Sequence, residues 1–400
     1  MIVLKIQEIS IRDFKALKNA SFSPGLVNVF IGANGSGKST LLESIGVLSA
    51  AMTDRVDANS LTRKGVRLSA PSLYKSAFQG ERRQNTISFD LKWKEEDMLN
   101  PLSYSVHLNT PAEDNAWRYH SEVLLNGDNK VFGRSGHSKG DYDNYVSFLL
   151  SNTTVIPQPI RTAMDRFRNY AIYQPFTAAL RGVIVDPQQA NPIGLGGGRL
   201  AEALEEIIHE VDGDLVIGSD PQYLLDEILE TIEWAESVAV AAPTKERVNS
   251  AIPVSRRVLE FKDRYLQDSV RFTAYDASEG ALFVLFMFCL ALHPKTPQVF
   301  SVDNFDQAMH PRLARAVMRT FSDIIVKQGK TVFLTTHNPL VLDGLDLSND
   351  NIRLFALNRS IKDGSISIER IQIRDDLVLE KRPLSQLWTS GRIGGVPDLL

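Results

Sequence analysis

The stretch "GANGSGKST", Gly32 to Thr40, constrains this chain more than any other. It fits the pattern G-x-x-x-x-G-K-[ST] without a mismatch. It follows "LVNVFI", an apolar run that reads as a strand, and precedes "STLLESIGVLSA", where Leu41, Leu42, Ile45 and Leu48 recur at helical spacing. Strand, glycine-rich turn and helix in that order are what a phosphate cradle requires. Glycines let the backbone curl until its N–H groups converge on phosphate oxygens. The helix N-terminus adds partial positive charge. Lys38 then reaches the β- and γ-phosphates of a nucleotide, and the Ser39 hydroxyl binds Mg2+. A chance glycine-rich turn is the alternative, and it needs both flanking elements to be coincidences.

A second anchor lies in "PQVFSVDNFDQAMHP", Pro297 to Pro311. In nucleotide hydrolases built on a phosphate loop, a second strand ends in an aspartate that holds Mg2+. "QVFSV" followed by Asp303 fits, although a strand-end aspartate can also simply cap a turn. The position after that aspartate usually carries a glutamate that polarises the attacking water, and here it is Asn304. An amide cannot accept a proton at neutral pH, and losing a positioned general base costs ~10² to 10⁴ in rate. ATP binding therefore needs only Lys38, Ser39 and Asp303, whereas hydrolysis is expected to be slow unless Asp306 or His337 supplies the base.

Bulk properties narrow the class. With 400 residues, 43% of them hydrophobic, the chain can bury a sizeable core in two or three domains or one large α/β unit. A net charge of -4 gives no overall bias toward nucleic acid. The single cysteine, Cys289, sits in the apolar run "ALFVLFMFCLAL" and reads as a buried thiol, which fits a reducing compartment. That run, Ala281–Leu292, is shorter than the ~20 residues that span a bilayer. With a β-like, charge-interrupted opening in place of a signal peptide, the expectation is a cytoplasmic protein without membrane contact.

Strands are expected in "IVLKIQEISIRDF", in "TISFDLKW", "LSYSVHL" and "WRYHSEVLL", and in Gln298–Val302 and Thr331–Thr335. "NIRLFALNR" and "SISIERIQI" read as a hairpin around Asp363-Gly364. Helices are expected in "RTAMDRFRNYAIY", "RLAEALEEIIHEV" and "QYLLDEILETIEWAESVAV", from Ser278 onward, and over Pro311–Val326; "SRRVLEFKDRYLQDSVRF" reads as helix turning to strand. Val185–Gly198, "VDPQQANPIGLGGG", is the clearest break.

These residues together resemble ABC-type ATPases of the SMC/RecF/OLD branch. "ISIRDFKAL…LVNVFIGANGSGKSTLLESI" looks like their first lobe, and "ASEGALFVLFMFCLALHP" like their signature motif, with Ser278-Glu279-Gly280 at its core. "VDNFDQAMHP" is similar to their metal-aspartate strand and D-loop, and "FLTTHNP" to the strand that places His337 near the γ-phosphate. The resemblance implies an α/β head of three parts. Residues 1–185 would form lobe I with mixed β-sheet, 186–270 an inserted helical region, and 271–400 lobe II with parallel sheet and helices. It implies a nucleotide contact set of Asn34, Gly35, Ser36, Gly37, Lys38, Ser39 and Thr40, with Mg2+ on Ser39 and Asp303 and chemistry at Asn304, Asp306 and His337. It also implies a homodimer or higher oligomer in which ATP held by one copy is sealed by Ser278, Glu279 and Gly280 of another. For the family's Q-loop glutamine the candidate is Gln174 in "IYQPF", which reads more readily as an ordinary surface glutamine.

About 240 residues separate phosphate loop and signature, too few for a long SMC-type coiled-coil rod. About 60 residues follow His337, with no carboxylate cluster of the two-metal nuclease kind. Standalone ATPases of this sort resemble those of bacterial anti-phage systems of the Septu, retron-linked and PARIS types. That analogy implies a separate effector chain, a nuclease or toxin. The alternative is a RecF-like DNA-repair ATPase, motivated by "LTRKGVRL", "GERRQ", "RTAMDRFR" and "SRRV". In "RTAMDRFR", Arg161 and Arg168 share a helix face and Asp165 is placed to pair with Arg161; the face either tracks DNA or RNA phosphates or is simply solvated. The tail "LWTSGRIGGVP" either docks on a partner or tucks onto the domain.

Overall fold

A computed structural model describes residues 3–110, 116–135, 143–151, 156–184, 186, 192–209, 228–245, 247–249, 256–372 and 382–396. Among these, three sheets form. The first is antiparallel, in the order β2 (Leu17–Phe22), β1 (Leu4–Phe14), β4 (Ile87–Glu95), β5 (Leu102–Asn109), β6 (Arg118–Asn126) and β7 (Asn129–Arg134). The second runs β15 (Ile366–Ile371), β14 (Ile352–Arg359), β3 (Val27–Ile31), β13 (Thr331–Thr335), β12 (Val299–Val302) and β8 (Ile172–Tyr173). Its members are parallel except β15, which closes the expected hairpin onto β14. The third is a small antiparallel sheet of β9 (Ala235–Ala241), β10 (Val258–Asp263) and β11 (Phe272–Thr273).

The second sheet is the partition of the molecule, and its sequence shows why. Strands covered on both faces read as continuous apolar runs, and "VNVFI", "VFSV" and "TVFLT" are buried at every position. Side chains alternate between two cores. Val29, Ile31, Val332, Leu334, Leu354 and Ala356 face one core, with helices Glu279–Leu292 and Pro311–Lys327. Phe30, Phe333 and Phe355 face the other, with helix Lys38–Ala51 and the antiparallel sheet. Those three rings form a row across neighbouring strands, Phe30 lying 6.2 Å from Phe333 and 5.3 Å from Phe355. Helix Glu279–Leu292 is apolar on all sides, as its sequence dictates, and is enclosed on all sides. Cys289 lies within it, its thiol pushed up to about 12 by burial.

Three expectations are corrected. Ile172–Tyr173, assigned to a helix, form strand β8 at the end of the parallel sheet. "AESVAV", also assigned to a helix, is β9, and "VLEFKD", inside the stretch read as helix turning to strand, is already the strand β10, so the 186–270 stretch is not wholly helical. Glu236 and Ser237 stay exposed on β9 while Ala235 and Val238 are buried, a short half-covered strand whose partners lie beyond local sequence. The described part of the glycine-rich break is packed inside: residues 192–197 are buried, and Gly196 and Gly198 donate their N–H groups to the Asp186 carboxylate. Asp165 pairs with Arg168 at 2.9 Å, while Arg161 binds Gln158. The opening residues of "QYLLDEILETIEWAESVAV" lie outside the described residues.

Candidate functional site

Parallel strands in register bring their carboxyl ends together, which is where α/β sheets bind ligands. Here Thr335 pairs with Phe30, and Val302 pairs with both Leu334 and Tyr173. The residues one step beyond therefore assemble in a row: the phosphate loop after β3, Thr336 and His337 after β13, Asp303 after β12, and Gln174 after β8.

In the phosphate loop, Gly35 and Gly37 take φ of 78° and 93°, a region that side chains with Cβ resist. Space forbids a Cβ at Gly37 as well, since it would sit 2.1 Å from Ile366 Cδ1 of β15. Asn34 and Gly35 are exposed at the tip; Ser39 and Thr40 are half-buried in the first helical turn. The Ser36 hydroxyl is buried without a hydrogen-bond partner, as expected of a group built to meet an incoming phosphate. Lys38 is folded back, Nζ donating to Gly32 O at 2.7 Å and Ala33 O at 3.1 Å. Burial pushes its ammonium down to about 8, against the opposing pull of Asp303 and Asp306.

Asp303 is the hub. Its Oδ2 accepts from Ser39 Oγ at 2.8 Å and Gln174 Nε2 at 3.0 Å, and its Oδ1 accepts from Thr335 Oγ1 at 2.5 Å. A serine hydroxyl, a carboxylate and an amide oxygen are a hard donor set. They suit Mg2+, which takes few protein ligands and completes its shell with substrate phosphate and water. Ser39 and Asp303 would hold the ion, and the ion would supply neutralising charge to the β- and γ-phosphates. Gln174 is exposed, and its amide donates to the Asp303 carboxylate.

The three residues considered for chemistry differ. Asn304 is exposed, with φ of 59°, and its N–H donates to Thr335 Oγ1 at 2.8 Å. Asp306 Oδ1 accepts from Thr336 Oγ1 at 2.7 Å and from His337 N at 3.3 Å, so this carboxylate braces the turn that carries His337. Desolvation, then the Lys38 ammonium, hold the His337 imidazole below its usual 6.5, which leaves it a neutral acceptor at pH 7.

Ser278 and Glu279 are exposed at the start of the apolar helix, and Ser278 is its N-cap, accepting from Ala281 N at 3.4 Å. Trp234 Nε1 donates to the same hydroxyl at 3.3 Å. Trp234 packs against Phe261, tilted to it, and edge-on to Phe272, so the small third sheet anchors Ser278. A Cβ on Gly280 would come within 3.1 Å of Ala308 O, which ties the signature to the D-loop of the same chain. Trp234 and Thr335 are contributors that sequence reading missed. Trp234 was absorbed into an expected helix, and Thr335 looked like a strand terminus; a threonine directly before "THNP" was the available signal.

One expected outcome follows from Lys38. Triphosphate oxygens favour its charged form, so the bound-state pKa lies above the free value near 8. Above that pH, binding takes up a proton, and affinity falls as pH rises, approaching tenfold per unit. ATP titrations between about pH 7 and 9.5 should give a flat profile and then this decline; a flat profile throughout contradicts it.

Fold and site together define a P-loop ATPase head. Three solved SMC head domains share the fold. The SMC head bound to the C-winged helix domain of ScpA has a TM-score of 0.57 at 11% identity, covering 94% of this chain and 99% of its own. The head from Pyrococcus furiosus with an extended coiled coil gives 0.53 at 12% identity over 94% and 99%. The head from Pyrococcus yayanosii gives 0.51 at 9% identity over 97% and 100%. The curated DNA replication and repair protein RecF of Heliobacterium modesticaldum is 36% identical over 95 residues, which is 20% of this chain and 25% of that protein. The chain thus matches about a quarter of the length of that relative. The chain belongs to the AAA_21 family, described as "AAA domain, putative AbiEii toxin, Type IV TA system", whose match spans residues 27–343. Its fold is that of SMC head domains, and one segment of it is similar in sequence to a RecF protein. Among the described residues no helix is long and apolar enough to cross a membrane.

Proposed function

We propose that the protein is an ATP-gated scaffold of bacterial anti-phage defence. It binds ATP and Mg2+ at Lys38, Ser39 and Asp303, assembles around the nucleotide, hydrolyses it slowly, and restrains or positions a separate effector chain, a nuclease or toxin. The observation that carries this reading is the state of Asn304. It occupies the base position next to the metal carboxylate but offers an amide, so the site is built to hold triphosphate longer than to cleave it. The exposed Ser278-Glu279 pair supports assembly, because the Ser278 hydroxyl, which accepts from Ala281 N and Trp234 Nε1, still has its own proton to donate to a partner's γ-phosphate at a helix start. A ligand that binds only the assembled state shifts the population toward it.

The basic stretches that motivated DNA binding are largely engaged within the protein. Lys64 donates to Arg168 O, and Arg67 pairs with Glu43 at 2.5 Å. Arg166 pairs with Glu95 at 3.2 Å, Arg168 also donates to Met52 O at 2.6 Å, and Arg257 pairs with Glu205 at 2.8 Å. The carboxylate partners of Arg67, Arg166, Arg168 and Arg257 offset their charges and leave less to release counterions from a phosphate backbone. The test is to purify the tagged protein from its native host and weigh the complex with and without ATP. A second polypeptide in fixed ratio is the expected result. Recovery of DNA fragments with no second chain would replace this reading with the RecF-like clamp.

A further inference from the structure

The phosphate loop is supported from behind by the last described segment of the chain. Trp388, on the short helix Leu384–Thr389, is 6% exposed and lies in the same core as the signature helix. Its indole N–H donates to Gly395 O at 3.2 Å, and Gly395 N donates to Asn358 Oδ1 at 2.9 Å. Gly395 has φ of 70°, and a Cβ there would lie 3.3 Å from Gly32 Cα and 3.4 Å from Gly32 N. Gly395 thus faces the first glycine of the phosphate loop with little room for a side chain between them. The other end of the segment is fixed next to the switch histidine. Ser385 donates through N and Oγ to the two carboxylate oxygens of Asp343, at 2.9 and 2.7 Å, and Asp343 closes the helix Pro339–Leu342 that follows His337.

We propose that Ser385–Gly395 is a positioning element for the nucleotide site, with Trp388 and Gly395 holding Gly32 so that the loop N–H groups converge on the phosphates. This rests on the reading of that loop as the ATP site. A loop free to drift would still form, but would meet triphosphate in a less organised state and bind it more weakly.

The test uses the full chain carrying 5-fluorotryptophan, titrated with Mg·ATP. Gly395→Ala, which adds a Cβ against Gly32 at a left-handed position, should weaken ATP about tenfold. Asn358→Ala, which frees Gly395 N and leaves Trp388 packed, should weaken it about threefold and serves if Gly395→Ala fails to fold. In the wild type the fluorine resonance of Trp388, assigned by its loss in Trp388→Phe, should move on ATP addition, a response that mere core packing would not give. Wild-type affinity in whichever of these variants folds, with the wild type itself binding ATP, overturns the proposal whatever the fluorine signal does. If the wild type binds no ATP, the assignment of the site falls, and this inference with it.

Discussion

Lys38→Ala is expected to weaken Mg·ATP binding about 100-fold and to abolish ATP-driven assembly. In the free protein Nζ is satisfied by the Gly32 and Ala33 carbonyls of its own loop. An arriving triphosphate exchanges these neutral acceptors for charged ones. A hydrogen bond to a charged group contributes ~1.5–3 kcal/mol, and each 1.4 kcal/mol is a factor of ten in affinity. Contact with two phosphates therefore accounts for about two decades. The variant should fold normally, since alanine only removes an ammonium that burial already penalises. Calorimetric titration gives the affinity directly, and wild-type binding by Lys38→Ala would mean that the nucleotide sits elsewhere.

Wild-type turnover should lie well below ~1 per second, the low end of ordinary enzymes, and Asn304→Glu should raise it at least tenfold. The backbone at Asn304 is left-handed, a conformation asparagine tolerates better than glutamate. The position is also fixed by the Thr335 hydroxyl, which accepts from Asn304 N and donates to Asp303. Placing glutamate there costs ~1–2 kcal/mol in backbone strain, about one decade. A positioned general base returns ~10² to 10⁴, so the net change is a gain. Phosphate release measured at saturating ATP decides it. Unchanged turnover would transfer the base role to His337, the neutral imidazole at the site, and His337→Ala should then remove what activity exists.

Much of this site was readable because its determinants are local. The phosphate loop needs two glycines at positive φ between a strand and a helix, and both the glycines and the flanking periodicities are written within a dozen residues. Asp303 and His337 follow fully buried strands, whose unbroken apolar runs announce them. Gln174 could not be placed with equal force, because its strand is only two residues long and exists through pairing with β12. The strand Ala235–Ala241 was hidden for a related reason. Its alternation is weak, and it is a strand only through pairing with Val258–Asp263, the next strand of the chain, where tertiary contacts outweigh local propensity. The seat of Trp388 lies in the same class: glycines around a tryptophan do not reveal that the tail returns to the phosphate loop. The charged stretches misled in the opposite direction, since sequence counts arginines but not the carboxylates and carbonyls that fold against them.

The central claim is that nucleotide is shared between copies, held by Lys38 of one and sealed by Ser278 of the other. Mixing two defective variants tests it most directly. Lys38→Ala alone should not assemble with Mg·ATP, nor should Ser278→Arg, whose bulk blocks the seal. In a one-to-one mixture, a head-to-tail pair regenerates one intact composite site from the sound Lys38 of one chain and the sound Ser278 of the other. Mass photometry with ATP should then show a mixed dimer that neither variant forms alone. A mixture that stays monomeric while the wild type assembles would contradict the shared site.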